Sequence, residues 1–120
     1  LNFAIQILDA ISYVHEQKII HRDLKPQNIL LHDGAVKIID FGLAVISEHT
    51  IASRDATVTI PGAGTWRYQS PEQRLHDPTG GKISGKVDIF AFGLILFELM
   101  SYKKAWDGFH ESKIMGVFYE

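Results

Sequence analysis

Apolar residues recur at positions 1, 4, 5, 8, 11 and 14 of "LNFAIQILDAISYVHEQ", a spacing that returns to one face and predicts an amphipathic helix over residues 1–17. "KII" then reads as a short extended stub. The polar stretch "HRDLKPQN" follows as a loop, because Pro26 keeps the backbone from running on as helix. "NILL" reads as a short buried strand, His32-Asp33-Gly34 as a hairpin turn and "AVKIID" as the returning strand, which ends at Asp40. Over residues 43–64 the periodicity is lost. Ser47, Thr50, Ser53, Thr57, Thr59, Pro61, Gly62 and Gly64 mark a long polar loop there, and loops of that length in a compact domain are functional or disordered. A second loop, "RLHDPTGGKISGK", precedes an apolar helix expected over residues 87–100, and a last helix is expected from Glu111. Phe90, Phe92 and Phe97 are expected in the core.

Composition narrows the classes. At 120 residues and 46% hydrophobic, the chain can build one modest core and one domain. Its formal charge is -2 and its longest basic run is Lys103-Lys104, so it carries no electrostatic footprint for nucleic acid or an anionic membrane. With no cysteine it has neither disulfides nor thiolate zinc sites, and its six histidines lack metal-ligand spacing. The longest apolar run, residues 89–97, is too short to span a bilayer and reads as a buried helix. No signal-peptide pattern is present, and the chain opens on Leu1 inside an already periodic pattern. It is expected to be a piece of a longer protein with an intracellular, cytoplasmic home.

Candidate chemistry concentrates around "HRDLKPQN". Asp23 stands at one end of the loop, Asn28 at the other and Asp40 at the tip of the returning strand, so the hairpin can bring three oxygen donors to one edge. Two carboxylates and an amide are hard ligands of the kind Mg²⁺ takes when phosphates and water complete its octahedron. Lys25 lies two residues beyond Asp23, placed to neutralise a phosphoryl oxygen. Phe41-Gly42 reads as a buried anchor followed by a pivot free to take positive φ.

"HRDLKPQN", "DFG" at 40–42, "GTWRYQSPE" at 64–72 and "DIFAFG" at 88–93 resemble, in order and spacing, the catalytic loop, metal-binding motif, activation-segment end and central-helix start of eukaryotic protein kinases. The resemblance implies an α+β, protein-kinase-like fold: a mainly helical large lobe over residues 1–120, with a short β-hairpin at the catalytic loop and the small lobe missing. It further implies ATP and Mg²⁺ as cofactors and protein substrates as partners. Asp23 would be the catalytic base, Lys25 the phosphate-neutralising cation, Asn28 and Asp40 the metal ligands, and Leu30 the floor under adenine. His21 and Phe41 would stack as structural residues. Asp88, which chemistry alone makes a first-turn or capping acid, would also brace the catalytic-loop backbone. Arg22 would grip a phosphate on the following loop, with Thr57 and Thr59 nearest the usual position and Thr50 and Ser53 as further acceptors. Thr65 would hydrogen-bond Asp23 and Lys25, and with Lys25 it favours the serine/threonine class.

Taken singly these residues are weak signals: Asp-Phe-Gly is most often a strand end and turn, and Arg22 and Lys25 read equally as solvated charges. The ordered set of four motifs is what carries the resemblance. Departures from it are Ser70 in place of the usual alanine, a long segment between Glu72 and Asp88 whose "HDPTGG" suggests an insertion, and a Glu72 whose usual arginine partner would lie beyond Glu120. The Gly-rich loop, strand lysine and helix glutamate of the family are absent, so the isolated polypeptide is expected to be inactive. "VDIFAFGLILFELM" and "SPEQ" look similar to the kinases of translation factor 2α; "GTWRY" and residues 103–106 resemble tyrosine-kinase-like serine/threonine kinases. Two rivals stand beside the enzyme reading: a pseudokinase scaffold or allosteric partner, and, more remote, a small-molecule phosphotransferase.

Overall fold

Helix α1 (Asn2–Glu16) turns Ala4, Ile7 and Ile11 inward. The structure, a computed structural model, describes residues 2–46, 66–74 and 83–119. The buried stripe is rotated from the expected one: Ile7 lies inside, while Ile5 and Leu8 are exposed. Contact with the hairpin sets this rotation. Gln6 accepts a hydrogen bond from the Val36 N–H through Oε1 at 2.9 Å and donates through Nε2 to the Gly34 carbonyl at 3.4 Å, so a polar residue fixes which side of α1 faces the strands.

Strand β1 (Ile19–Ile20) pairs antiparallel with β4 (Val45–Ile46), and β2 (Ile29–His32) with β3 (Ala35–Ile38), Ile29 opposite Ile38 and His32 opposite Ala35. Asp33 and Gly34 both have positive φ, 50° and 76°, as the tight two-residue hairpin turn requires. Three expectations are corrected here. Pro26 does not exclude helix but opens a 3₁₀ turn (Pro26–Asn28), since the N–H it lacks is unused in a first turn. The β2 strand is not buried: Ile29 is half-buried while Leu30 and Leu31 are exposed, because α1 covers only one side of the ribbon among the described residues. Strand β3 ends at Ile38 rather than Asp40; the Ile39 N–H still reaches the Asn28 carbonyl at 2.9 Å, and then Asp40 turns left-handed.

After a 3₁₀ turn (Trp66–Tyr68) and the single-turn helix α2 (Pro71–Arg74), helix α3 (Lys86–Ser101) buries Val87, Asp88, Ala91 and Ile95. Ala91 and Ile95 join Ile7, Ile11, Leu24 and Tyr68 in the core cluster, so the core lies between α1 and α3 with a loop leucine wedged in it. Helix α3 is thus buried along one stripe, not all round: Phe90 and Phe92 are half-buried and Phe97 is exposed, contrary to expectation. Helix α4 (Glu111–Tyr119) follows, with Ile114 buried. No helix among the described residues is long and apolar enough to cross a membrane. The chain is an α+β unit in which two long helices carry two small antiparallel ribbons.

Helix α3 closes at Tyr102, which is left-handed (φ 58°), 95% exposed, and donates its N–H to the Glu98 carbonyl. That cap position favours glycine. Tyr102→Gly is expected to raise stability by roughly 0.5–1 kcal/mol, the relief of about 1–2 kcal/mol of left-handed strain less the unfolded-state freedom that glycine adds. The midpoint of thermal unfolding measures it.

Candidate active site

The loop at residues 21–28 is held before it is functional. Leu24 anchors it in the core cluster, and the buried Asp88 of α3 reaches under its start. Asp88 is only 1% exposed. Its Oδ2 accepts the His21 N–H at 2.9 Å and faces His15 Nε2 at 2.8 Å, while its Oδ1 accepts the Arg22 N–H at 2.9 Å. A first-turn acid is therefore also a brace for the loop backbone. Arg22 has φ 70°, a left-handed conformation that costs a non-glycine residue about 1–3 kcal/mol and persists only where its surroundings impose it. Its N–H is held by Asp88 and its carbonyl accepts from Gln73 Nε2 at 3.0 Å, so the strained residue is gripped through both of its flanking peptide groups.

His21, almost fully buried, uses both ring nitrogens: Nε2 donates to the Ile39 carbonyl at 2.9 Å and Nδ1 accepts the Asp23 N–H at 3.1 Å. Both bonds together specify one neutral tautomer and tie the loop to the end of β3. The ring meets Phe41 edge-on, centroids 4.6 Å apart. Phe41 itself is 41% exposed, so it is no buried anchor: it leans on the imidazole and its outer face is uncovered among the described residues. Nor is Gly42 the residue with positive φ. That conformation belongs to Asp40 (φ 61°), whose Oδ1 accepts the Gly42 N–H at 3.3 Å. A short acid tolerates the left-handed region because its carboxylate can satisfy the next turn.

Asp23 is buried. Its Oδ2 lies 3.8 Å from Lys25 Nζ, and its Oδ1 has no hydrogen-bond partner among the described residues. Asn28, also buried, donates Nδ2 to the Asp23 carbonyl at 2.8 Å, which commits the nitrogen and leaves the amide oxygen as the free function. The Asn28 carbonyl in turn takes the Ile39 N–H, so the exposed Asp40 follows directly on the residue bonded to Asn28. Asn28 is thus bonded to the Asp23 carbonyl on one side and to the residue preceding Asp40 on the other, with Lys25 beside Asp23. No group of three or more His, Asp or Glu side chains among the described residues makes a metal cage. An amide oxygen and an exposed carboxylate suit a cation that keeps waters and takes its remaining ligands from phosphates, so this donor set fits Mg²⁺.

The Arg22 guanidinium donates Nε to the Leu43 carbonyl at 2.6 Å; burial lowers its pKa from the ordinary value, partly offset by Asp88. Leu30 lies exposed on β2, and Glu72 is exposed with no ion pair among the described residues. Thr50, Ser53, Thr57, Thr59 and Thr65, and the "HDPTGG" stretch, lie outside the described residues.

Two site residues escape a sequence reading. His15 sits on the helix with nothing in its spacing to separate it from a polar face; only folding brings it to Asp88, 73 residues on. Gln73 had a partial signal. Ser70-Pro71-Glu72-Gln73 has the S-x-x-Q form of a capping box, and the Ser70 N–H does donate to Gln73 Oε1 at 3.1 Å. The second bond of that side chain, to Arg22, is tertiary.

The protein kinase domain family matches residues 1–118. The chain is 41% identical over 109 residues to the serine/threonine-protein kinase PrkC of Bacillus subtilis, an alignment covering 90% of this chain and 16% of that protein. It is 41% identical over 108 residues to eukaryotic translation initiation factor 2-alpha kinase 3 of Bos taurus, covering 83% of this chain and 9% of the relative. To the receptor-like cytosolic serine/threonine-protein kinase RBK1 of Arabidopsis thaliana it is 40% identical over 108 residues, covering 87% and 22%. The chain therefore spans between 9% and 22% of the length of these relatives. With the braced loop, the motif order and these similarities in agreement, the chain belongs to the protein kinase domain family and is homologous to serine/threonine protein kinases.

Proposed function

We propose that the protein carrying this chain transfers the γ-phosphate of ATP to serine or threonine hydroxyls of other proteins, and that this chain supplies the catalytic loop of its large lobe. The observation that carries the reading is Asp23 Oδ1: a buried carboxylate oxygen with no hydrogen-bond partner among the described residues, on a loop fixed by Asp88 and beside a lysine. Such an acceptor suits an incoming hydroxyl. Asp23 orients that hydroxyl and takes its proton late, which a loose phosphoryl-transfer transition state allows without a strong base. Lys25 offsets charge on the moving phosphoryl group, Asn28 and Asp40 hold Mg²⁺, and Leu30 contacts the adenine. Bound Mg²⁺-ATP supplies the transferable group and a cation that neutralises it. The family resemblance assigns Thr65 as a partner of Asp23 and Lys25, and Arg22 as the grip for a phosphate on Thr57 or Thr59, three threonines that lie outside the described residues. His21 and Phe41 keep the loop in register with the Asp40 turn. The class of hydroxyl rests on the identity of about two residues in five shared with serine/threonine kinases.

The test is transfer of radiolabelled phosphate from Mg²⁺-ATP by the full-length protein, onto itself and a generic protein, with phosphoamino-acid analysis. Phosphoserine or phosphothreonine is expected. Asp40→Asn, which removes a charged metal ligand, is expected to lower transfer roughly 100-fold or more. No transfer from any preparation, including one pretreated with active kinases, would replace this reading by a scaffolding role.

A further inference from the structure

The Gln73 side chain of α2 reaches the catalytic loop, and its amide orientation is fully specified. Oε1 accepts the Ser70 N–H at 3.1 Å and lies 3.4 Å from Ser70 Oγ, while Nε2 donates to the Arg22 carbonyl at 3.0 Å. A flipped amide would set oxygen against carbonyl oxygen and NH₂ against N–H. The first bond is the side-chain half of a capping box, and glutamate at that position makes it equally well. The second bond needs a donor, which glutamate lacks. Choice of amide over acid at residue 73 is therefore a statement about Arg22, not about the helix.

We propose that Gln73 is a positioning residue for phosphoryl transfer: it ties the segment 66–74 to the carbonyl of the left-handed Arg22 and so fixes the peptide that presents Asp23. The inference rests on the kinase reading above. Arg22 and Asp23 share the peptide bond whose oxygen Gln73 holds, so rotation of that peptide moves the Asp23 N–H off His21 Nδ1 and the carboxylate with it. Asp88 grips the other side of Arg22, through the N–H, and cannot prevent that rotation. Two polar contacts from two different helices are needed because the conformation they impose has no glycine to relieve it.

Gln73→Glu separates the two roles of the side chain, since it keeps the cap and sets a carboxylate against the Arg22 carbonyl. Gln73→Met removes both bonds at similar volume. In the full-length protein, Gln73→Glu is expected to lower kcat about tenfold with KM for ATP within about twofold. Its unfolding midpoint is expected within about 2 °C of wild type. Hydrogen exchange is expected to rise over residues 20–26 and to stay unchanged over 71–74. Gln73→Met is expected to lose both kcat and thermal stability. A Gln73→Glu protein with wild-type kcat, or one whose kcat falls only in step with its folded fraction, overturns the proposal. Should the wild-type protein show no transfer that Asp23→Asn abolishes, the kinase reading fails by itself; exchange over residues 20–26 then decides the tether, faster in Gln73→Glu supporting it and unchanged exchange overturning it.

Discussion

Replacing Asp88 by alanine is expected to destabilise the fold by roughly 2–5 kcal/mol, because it leaves buried hydrogen-bond donors without their acceptor. The carboxylate is sealed from water and serves three donors: the N–H groups of His21 and Arg22 and the ring nitrogen of His15. Each buried donor left without a partner costs about 1–3 kcal/mol, so the two backbone groups alone account for most of the loss. Asp88→Asn keeps one acceptor and turns an NH₂ toward a donor, so an intermediate loss is expected. Urea titration of the protein followed by a probe of the kinase domain measures both. A loss under about 1 kcal/mol in Asp88→Ala would show that the loop is held from elsewhere. Loss of the brace should also free Arg22 from its left-handed conformation, so the activity of whatever protein remains folded should fall as well.

Asp23→Asn is the second large effect, and it acts on chemistry rather than stability. Turnover is expected to fall roughly 10²–10⁴-fold, the usual contribution of a positioned proton acceptor, while ATP affinity stays close to that of wild type. Asparagine matches aspartate in shape, so the loop held by Leu24, His21 and Asn28 should persist. What changes is the group offered to an incoming hydroxyl: half of the amide is a donor, and the charge facing Lys25 is lost. Steady-state kinetics with the full-length protein, with nucleotide binding measured separately, provide the check. Normal turnover in Asp23→Asn would remove Asp23 from the catalytic role and leave the unpartnered oxygen without a function.

Local chemistry made much of this legible. The helix at residues 2–16, the Asp33-Gly34 hairpin and the helix from Glu111 follow from periodicity and turn preference, which act within a few residues. The motifs around Asp23, Asn28, Asp40 and Asp88 could be placed because their order along the chain is itself the signal; the fold bonds Asn28 to the Asp23 carbonyl and to Ile39, next to Asp40, and sets Asp88 under the start of the loop. Less legible was which apolar residues would be covered. Ile5, Leu8, Leu30 and Phe97 are as hydrophobic as their buried neighbours, yet they are exposed, since burial depends on which faces meet and not on the side chain alone. The freedom that Gly42 has to take positive φ goes unused for a related reason: glycine permits that conformation, but a turn closed by the Asp40 carboxylate uses it two positions earlier.

By itself, the sequence determined the helices that open and close the chain, the Asp33-Gly34 hairpin and the order of the polar motifs, because propensity, turn chemistry and motif spacing are local. Only the tertiary structure decided that Asp88 and Gln73 grip opposite sides of Arg22, that His15 joins Asp88, and that Asp23 keeps one buried oxygen unpaired among the described residues. Those contacts join residues 51 to 73 positions apart, and their geometry exists only once α1 and α3 have closed on Leu24.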